Sequence, residues 1–556
     1  MGKIRDKIIK KFIKGNKKIA EQIKDQKDTL TPQTLQVSNA SNPQSNSQSQ
    51  MPSLTPRKAD APPQPKKKEI ERYEYISKKI PVIITISTVE GEFVPIYEVS
   101  ISSIGGTTEI ILEKIRQELI KQVNLGIVEI TDNKKTSIVE DKFKETIKIL
   151  IDKYFPDVDE HTMEFLVSYL IMRSLGMGNI EILMDDKNLE EVVVNSATEP
   201  VWCFHKKHGW LKTNIWLKDE EQTRHYATMI GRKVGRQITT LEPLLDAHLN
   251  EGDRVNATLM PISTAGNTIT LRKFSRDPIT ITHFLRYKTF SYEAASLIWL
   301  AMHYELSALI AGGTASGKTS VLNVLGALFP PNQRIISIED TREIRLPKYL
   351  HWLPMSTRLP NAEGKGQVSM EDLLINALRQ RPDRILVGEV RRQKEAETLF
   401  EAIHTGHSCY ATFHANNAEE TVRRLTNPPI NVPTTMLPAI SMIIMQFRNR
   451  RTGVRRTFQI AEITEEGKQN TLLQYDSKKD VLVNQNKSKS LLATLQLYTG
   501  NTEAEIKAEM KEKESVLRYL VTQNIDSVDG VGRIMAEYYT NKDNMLKYIK
   551  SNKKFG

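Results

Sequence analysis

The chain has 556 residues, 39% of them hydrophobic and 26% charged, and a net charge of +11 at pH 7. At about 100–200 residues per domain, that length suggests two to four domains, and the apolar fraction excludes wholesale disorder. Two cysteines, Cys203 and Cys409, exclude a disulfide framework or a four-cysteine zinc site and fit a reducing, cytoplasmic compartment.

Residues 1–28 hold ten Lys/Arg and four Asp/Glu, with Ile4, Ile8, Ile9, Phe12 and Ile13 at helical spacing. A basic amphipathic helix of this kind can lie on an anionic membrane surface. A solvated basic tail, or one docked on an acidic partner, is the alternative. Ser, Asn, Gln and Pro then dominate up to about residue 68, too polar to offset the entropy of ordering. Residues 1–68 therefore read as a basic tail and disordered linker. Over 69–277 the patterning predicts a mixed α/β domain, with strands at 81–87, 92–100, 191–195, 200–205 and 268–274 and helices at 108–123 and 141–175. Over 278–464, short apolar runs without alternation (306–311, 334–338, 385–387, 408–412) separate helical stretches, as in a parallel sheet covered on both faces. Residues 465–556 read as a helical extension, with apolar positions at Ile506, Met510, Leu517, Val521, Val531, Ile534 and Tyr538. No run reaches the roughly 18 apolar residues of a membrane span, and the N-terminus lacks the apolar stretch of a secretory signal.

The strongest chemical signal is Gly312-Gly313-Thr314-Ala315-Ser316-Gly317-Lys318-Thr319, a GxxxxGK[ST] phosphate loop after an apolar strand and before a helical run opening at Ser320. Its glycines let backbone N–H groups face phosphates, and the helix N-terminus adds positive potential. Lys318 would reach the β- and γ-phosphates, and Thr319 would ligate Mg²⁺. Residues 338–343, Ile-Glu-Asp-Thr-Arg-Glu, follow the next strand, where Glu339 or Glu343 could orient the attacking water; an ordinary acidic turn is the alternative. Residues 384–391 end a buried strand in Gly388-Glu389, the form of a Walker B element that sets a carboxylate beside Mg²⁺. His407 and His414 flank a further strand and could sense the γ-phosphate, although a lone histidine is more often structural; zinc is rejected for want of partners at ligand spacing. Arg254, Arg272, Arg358, Arg379, Arg381, Arg384 and Arg391 lie near these motifs, and the sequence does not single out a finger among them.

In this order the motifs resemble the type II/IV secretion ATPase family, hexameric motors of type II secretion, type IV and Tad pili, conjugation-type secretion and the archaeal flagellum. The resemblance runs over about 68–464: 312–319 resembles its Walker A, 338–343 its Asp box, 379–391 its Walker B segment and 405–416 its His box. It implies a RecA-like P-loop domain behind a smaller mixed α/β domain, from which Arg254 and Arg272 reach over the nucleotide. It further implies ATP and Mg²⁺ as cofactors, a homo-hexameric ring, a polytopic membrane platform protein as partner, and a place at the inner face of the cell membrane. Gly209-Trp210 with Thr213-Asn214, and 429–433, look most like the archaeal branch. Two departures stand out: Arg392 where the family usually has Gly, and Ala411-Thr412-Phe413-His414 where Ser-Thr-Leu-His is common. The implied activity is an ATPase driving pilus-like filament assembly or type II/IV secretion. The alternatives are a conjugation-type nucleic-acid transfer motor, disfavoured because much of the basic excess sits in the tail and no recognition motif is evident, and a nucleotide-regulated assembly factor.

Overall fold

The computed structural model describes residues 66–101, 104–122, 136–249, 252–274, 278–360 and 364–555. Nearly all of the basic tail and linker, with the membrane-surface expectation attached to it, lies outside the described residues. Two compact units result, one of residues up to 249 with 255–273, the other of 250–254 with 274 onward.

The first unit is built on β1 (Lys67–Ser77), β2 (Ile80–Val89), β3 (Ile96–Ile101), β4 (Leu189–Val194), β5 (Trp202–His205), β6 (Gly209–Thr213), β7 (Leu244–His248), β8 (Arg254–Thr258) and β9 (Thr268–Arg272). They form one nine-stranded sheet in the order β1-β2-β3-β6-β5-β4-β9-β8-β7. Ile80, Val82, Ile84 and Ile86 of β2 are fully buried at every second position, the period-two pattern of a strand with one face on a core. The sequence reading missed β1 because Lys67, Lys68, Glu69, Glu71, Arg72 and Glu74 interrupt its apolar residues; such charges suit an edge strand that must not recruit another chain. It also lacks a turn signal: Lys78 and Lys79 close the β1–β2 hairpin at φ of 45° and 73° without the usual Asn or Gly. The helical stretch expected over 141–175 is two helices, Thr136–Tyr154 and Glu160–Leu175. Pro156 separates them, and Asp159 caps the second by accepting from the Thr162 N–H at 3.0 Å.

In the second unit, β10 (Ala308–Gly312), β11 (Arg334–Glu339), β12 (His351–Ser356), β13 (Arg384–Val387), β14 (Ser408–Phe413), β15 (Met442–Arg448), β16 (Arg455–Ile463), β17 (Gln469–Asp476) and β18 (Val481–Asn484) form the sheet β12-β11-β13-β14-β10-β15-β16-β17-β18. From β12 to β15 every pairing is parallel, and from β15 outward antiparallel. The central strands β10, β13 and β14 are buried at every position, as their unbroken apolar runs require. One strand, β14, separates the phosphate-loop strand β10 from the Walker-B-like strand β13, which is the RecA-like arrangement. β12 had no sequence signal, since it is a half-exposed edge strand containing Pro354, a residue that edge strands tolerate.

The C-terminal extension becomes helical only from Ser490; before that, β17 and β18 continue the sheet. The buried Glu462 at the end of β16 fastens the two parts. Its carboxylate accepts the backbone N–H groups of Lys489 and Leu491 and the Ser488 hydroxyl at 2.7–2.8 Å, capping the helix Ser490–Thr499. Burial alone would raise its pKa, but the Asn470 amide, which donates to it at 2.6 Å, and these donors together hold it low. Further on, the helix Glu503–Thr522 packs on the helix Tyr292–His303. There the fully buried Lys513 pairs with Glu509 at 3.0 Å, its ammonium 4.8 Å from the Trp299 ring centroid.

Candidate nucleotide-binding site

The carboxyl ends of parallel strands form the edge where open α/β sheets bind ligands. The chain elements leaving β10, β11, β13 and β14 at that edge carry the phosphate loop, Glu339, Glu389 and His414.

β10 ends at Gly312, where no other residue fits. A Cβ there would stand 2.5 Å from Ser316 Oγ and 2.6 Å from the Gln446 carbonyl oxygen. The loop then turns back on itself: the Ser316 hydroxyl donates to the Gly313 carbonyl at 2.8 Å, and Ala315 and Gly317 take φ of 58° and 96°. Gly317 sits at the N-cap of the helix Lys318–Gly326. Lys318 folds back so that Nζ donates to the carbonyls of Gly312 and Gly313 at 3.0 and 3.1 Å. Desolvation lowers the Lys318 pKa, opposed by the nearby charges of Glu389 and Glu343 and aided by Arg391. Lys318, Glu343 and Glu389 are therefore electrostatic neighbours. Thr319 and Ser320 follow on the first helical turn, and Thr314 is exposed at the loop's crest.

Glu339, 1% exposed, closes β11. One carboxylate oxygen accepts the N–H groups of Glu343 and Ile344 at 2.8 and 2.9 Å; the other is buried with no partner among the described residues. Desolvation outweighs those bonds and raises its pKa to about 7. Gly388 lets β13 approach, since a Cβ there would stand 3.3 Å from Glu339 Cα. Glu389 is held by Arg391, whose Nε and Nη2 donate to Glu389 Oε2 at 2.9 and 2.6 Å. The same guanidinium reaches Asp340 Oδ2 at 2.8 Å, and the Thr357 hydroxyl donates to the other Asp340 oxygen at 3.0 Å. Asp340 lies in the acidic motif but had no role of its own in the sequence, and Thr357 went unnoticed, because only the pairing of β11 with β12 brings the two together.

His414 leaves β14 at the same edge. Burial lowers its pKa first, with Lys318 and Arg424 adding to the effect, while the Arg424 guanidinium donates to its carbonyl. Glu389, Arg391, His414, Arg423 and Arg424 line a cavity of about 310 Å³ beside the Walker-B-like carboxylate.

The remaining sequence candidates divide. His407 precedes β14 and so lies at the opposite edge, where its ring meets the Thr405 hydroxyl and the Ala402 carbonyl. Arg384 opens β13 at that same far edge, fully buried against the Phe329 ring and bonded to Tyr410; it can reach no phosphate from there. Arg358 donates to the Gly366 carbonyl at 2.6 Å. Arg254, the last residue of the 250–254 segment, opens β8, and Arg272 of the first unit closes β9 opposite Glu191. Arg455, outside every motif, donates from Nε to the Ala315 carbonyl at 3.1 Å.

The residues present suit a magnesium-bound nucleoside triphosphate: a glycine loop folded so closely on its neighbours that Gly312 admits no Cβ, a lysine turned back over it, and a buried carboxylate oxygen without a partner among the described residues. No group of three or more His, Cys, Asp or Glu suited to a resident metal occurs among the described residues.

Residues 177–528 match the family model described as type II/IV secretion system protein, and the chain belongs to that family. An uncharacterised protein of Methanocaldococcus jannaschii, MJ0900, is 36% identical over 331 residues, a match covering 59% of each chain. The chain thus spans about three-fifths of that relative's length. A putative conjugal transfer protein of Mycobacterium tuberculosis, Rv3659c, is 30% identical over 299 residues, covering 51% of this chain and 84% of its own. Among solved structures, the VirB11 ATPase of the Brucella suis type IV secretion system is 22% identical with a TM-score of 0.27, covering 52% of this chain and 93% of its own.

Proposed function

We propose that this chain is a Mg²⁺-dependent ATPase that works as a homo-hexameric ring on a membrane platform protein, powering pilus-like filament assembly or type II/IV secretion from the inner face of the cell membrane. The observation that carries this reading is the meeting of the phosphate loop, Glu339 and Glu389 at one sheet edge in a chain of this secretion family. Lys318 leaves its loop carbonyls to neutralise the β- and γ-phosphates, and the loop N–H groups hold the phosphate chain. Thr319 and Glu389 would hold Mg²⁺, which when bound withdraws charge from the phosphate oxygens. Arg391 must then give up Glu389, and Asp340 remains as its carboxylate partner. Glu339, or Glu343 beside it, positions the attacking water; the buried unpartnered oxygen of Glu339 favours the former. His414 senses loss of the γ-phosphate through its charge neighbours.

The test is turnover by the full chain across protein concentrations, with light scattering to size the ring. Lys318→Ala is expected to abolish hydrolysis, and near-normal turnover in that variant would remove the assignment. Turnover that rises with ring formation and anionic lipid but ignores DNA supports the secretion or pilus motor. The putative conjugal transfer relative favours a second reading, a nucleic-acid transfer motor. Salt-sensitive DNA stimulation that survives removal of residues 1–68 would promote it.

A further inference from the structure

The hairpin joining β15 to β16 carries Arg448, Arg450, Arg451, Arg455 and Arg456 between residues 447 and 456, with no acidic residue. β15 runs parallel to β10 with Gln446 beside Gly312, so the hairpin projects past the sheet edge next to the phosphate loop. Within it, Arg448 lies directly opposite Arg455 in the antiparallel ladder. Directly opposed residues share a face, and like charges so placed repel. Arg456 is neutralised by Asp480 at 2.7 Å, whereas Arg448 makes no ion pair among the described residues. Its Nε is shielded from solvent and has no hydrogen-bond partner among them. A shielded guanidinium donor without an acceptor is a costly arrangement, and an anion at that place would relieve both the repulsion and the unmet donor.

The position of Arg455 says which anion. Its Nε bonds the Ala315 carbonyl, and its Cδ lies 3.7 Å from where a side chain on Gly317 would begin. The guanidinium therefore stands on the phosphate loop itself. The carboxylates that would serve the terminal phosphate, Glu339 and Glu389, leave β11 and β13, on one side of β10; β15 and β16 lie on the other. The phosphate chain must thus leave the loop toward the arginines at its nucleoside end.

We infer that Arg448 and Arg455 form a guanidinium pair that binds the α-phosphate end of the nucleotide, a part common to ATP and ADP. This rests on the proposed nucleotide-binding role of the phosphate loop. The pair holds substrate and product alike, so it supplies affinity and leaves the chemical step to Lys318 and the carboxylates.

The test uses the full chain, a fluorescent analogue each of ATP and ADP, and steady-state turnover, with Arg448→Gln, Arg455→Gln and, as a control on the same hairpin, Arg450→Gln. Each of the first two is expected to weaken binding of both nucleotides by roughly ten- to a hundredfold, the loss of a charge-assisted hydrogen bond. KM for ATP should rise in parallel while kcat at saturation stays within about twofold, competition by inorganic pyrophosphate should be unaltered, and Arg450→Gln should match wild type. Arg455→Lys, which keeps one charge, should recover part of the lost affinity and separates loss of charge from misfolding. Unchanged affinity in both arginine variants, a loss confined to ATP, or a fall in kcat at constant KM would overturn the assignment while leaving the phosphate-loop reading intact. Absence of nucleotide binding by wild type would remove both.

Discussion

Replacing Glu339 by Gln tests whether a buried carboxylate at the sheet edge is kept at a cost to the fold. Burial raises its pKa from an ordinary value of 4.5 to about 7. The folded chain thus keeps this proton over a range in which the unfolded chain releases it. As pH rises from 4.5 through 7, unfolding is favoured progressively, the reverse of what a salt-bridged carboxylate does. At 1.36 kcal/mol per pKa unit, the fold gives up about 3 kcal/mol by pH 8. Glutamine keeps the oxygen that accepts the N–H groups of Glu343 and Ile344 but cannot ionise. The variant should match wild type at pH 4 to within about 0.5 kcal/mol and exceed it by about 3 kcal/mol at pH 8. Urea denaturation of both proteins at several pH values, followed by far-ultraviolet circular dichroism, measures the gap. ATP turnover should fall in the same variant, because the neutral amide cannot hold the water as a carboxylate does. A stability gap that does not widen with pH would refute the reasoning, whatever happens to turnover.

Gly312→Ala forces a methyl group to within 2.6 Å of Ser316 Oγ and the Gln446 carbonyl, so it should displace the phosphate loop and cost about 1–3 kcal/mol. Nucleotide affinity is expected to fall at least about tenfold, read by fluorescent nucleotide titration and a urea midpoint. Lys513→Ala leaves the Glu509 carboxylate with only the Tyr304 hydroxyl and His303 as partners and opens a cavity under Trp299. It should cost about 2–5 kcal/mol in the second unit, as truncating a large buried side chain does. Native-state hydrogen exchange in the helices Glu503–Thr522 and Tyr292–His303 is the check, and unchanged protection there would refute it.

The phosphate loop was legible in the sequence because its parts are consecutive: a strand, a glycine-rich turn and a helix start need no long-range contact to declare themselves. The same holds for the buried strands β10, β13 and β14, whose unbroken apolar runs state that both faces are covered. Those features, with the acidic and histidine motifs in order, are enough to indicate the α/β class and the secretion family. Strands whose residues face water on one side, β1 and β12, or that continue a sheet into an apparently helical tail, β17 and β18, were hidden. Their pattern depends on an edge position that only pairing creates.

Which side chains share an edge is likewise a tertiary fact. His407 and His414 are equivalent in the sequence, yet a strand separates its two ends by its own length, so only His414 reaches the phosphate-loop edge. Arg384 and Arg391 lie in one motif, but one is sealed beneath the sheet and the other clasps Glu389 and Asp340. Arg455 comes from 140 residues beyond Ala315 and meets it only because β15 returns beside β10. Local chemistry is written in short runs of sequence, whereas the pairing of distant strands decides which of those runs can act on one ligand.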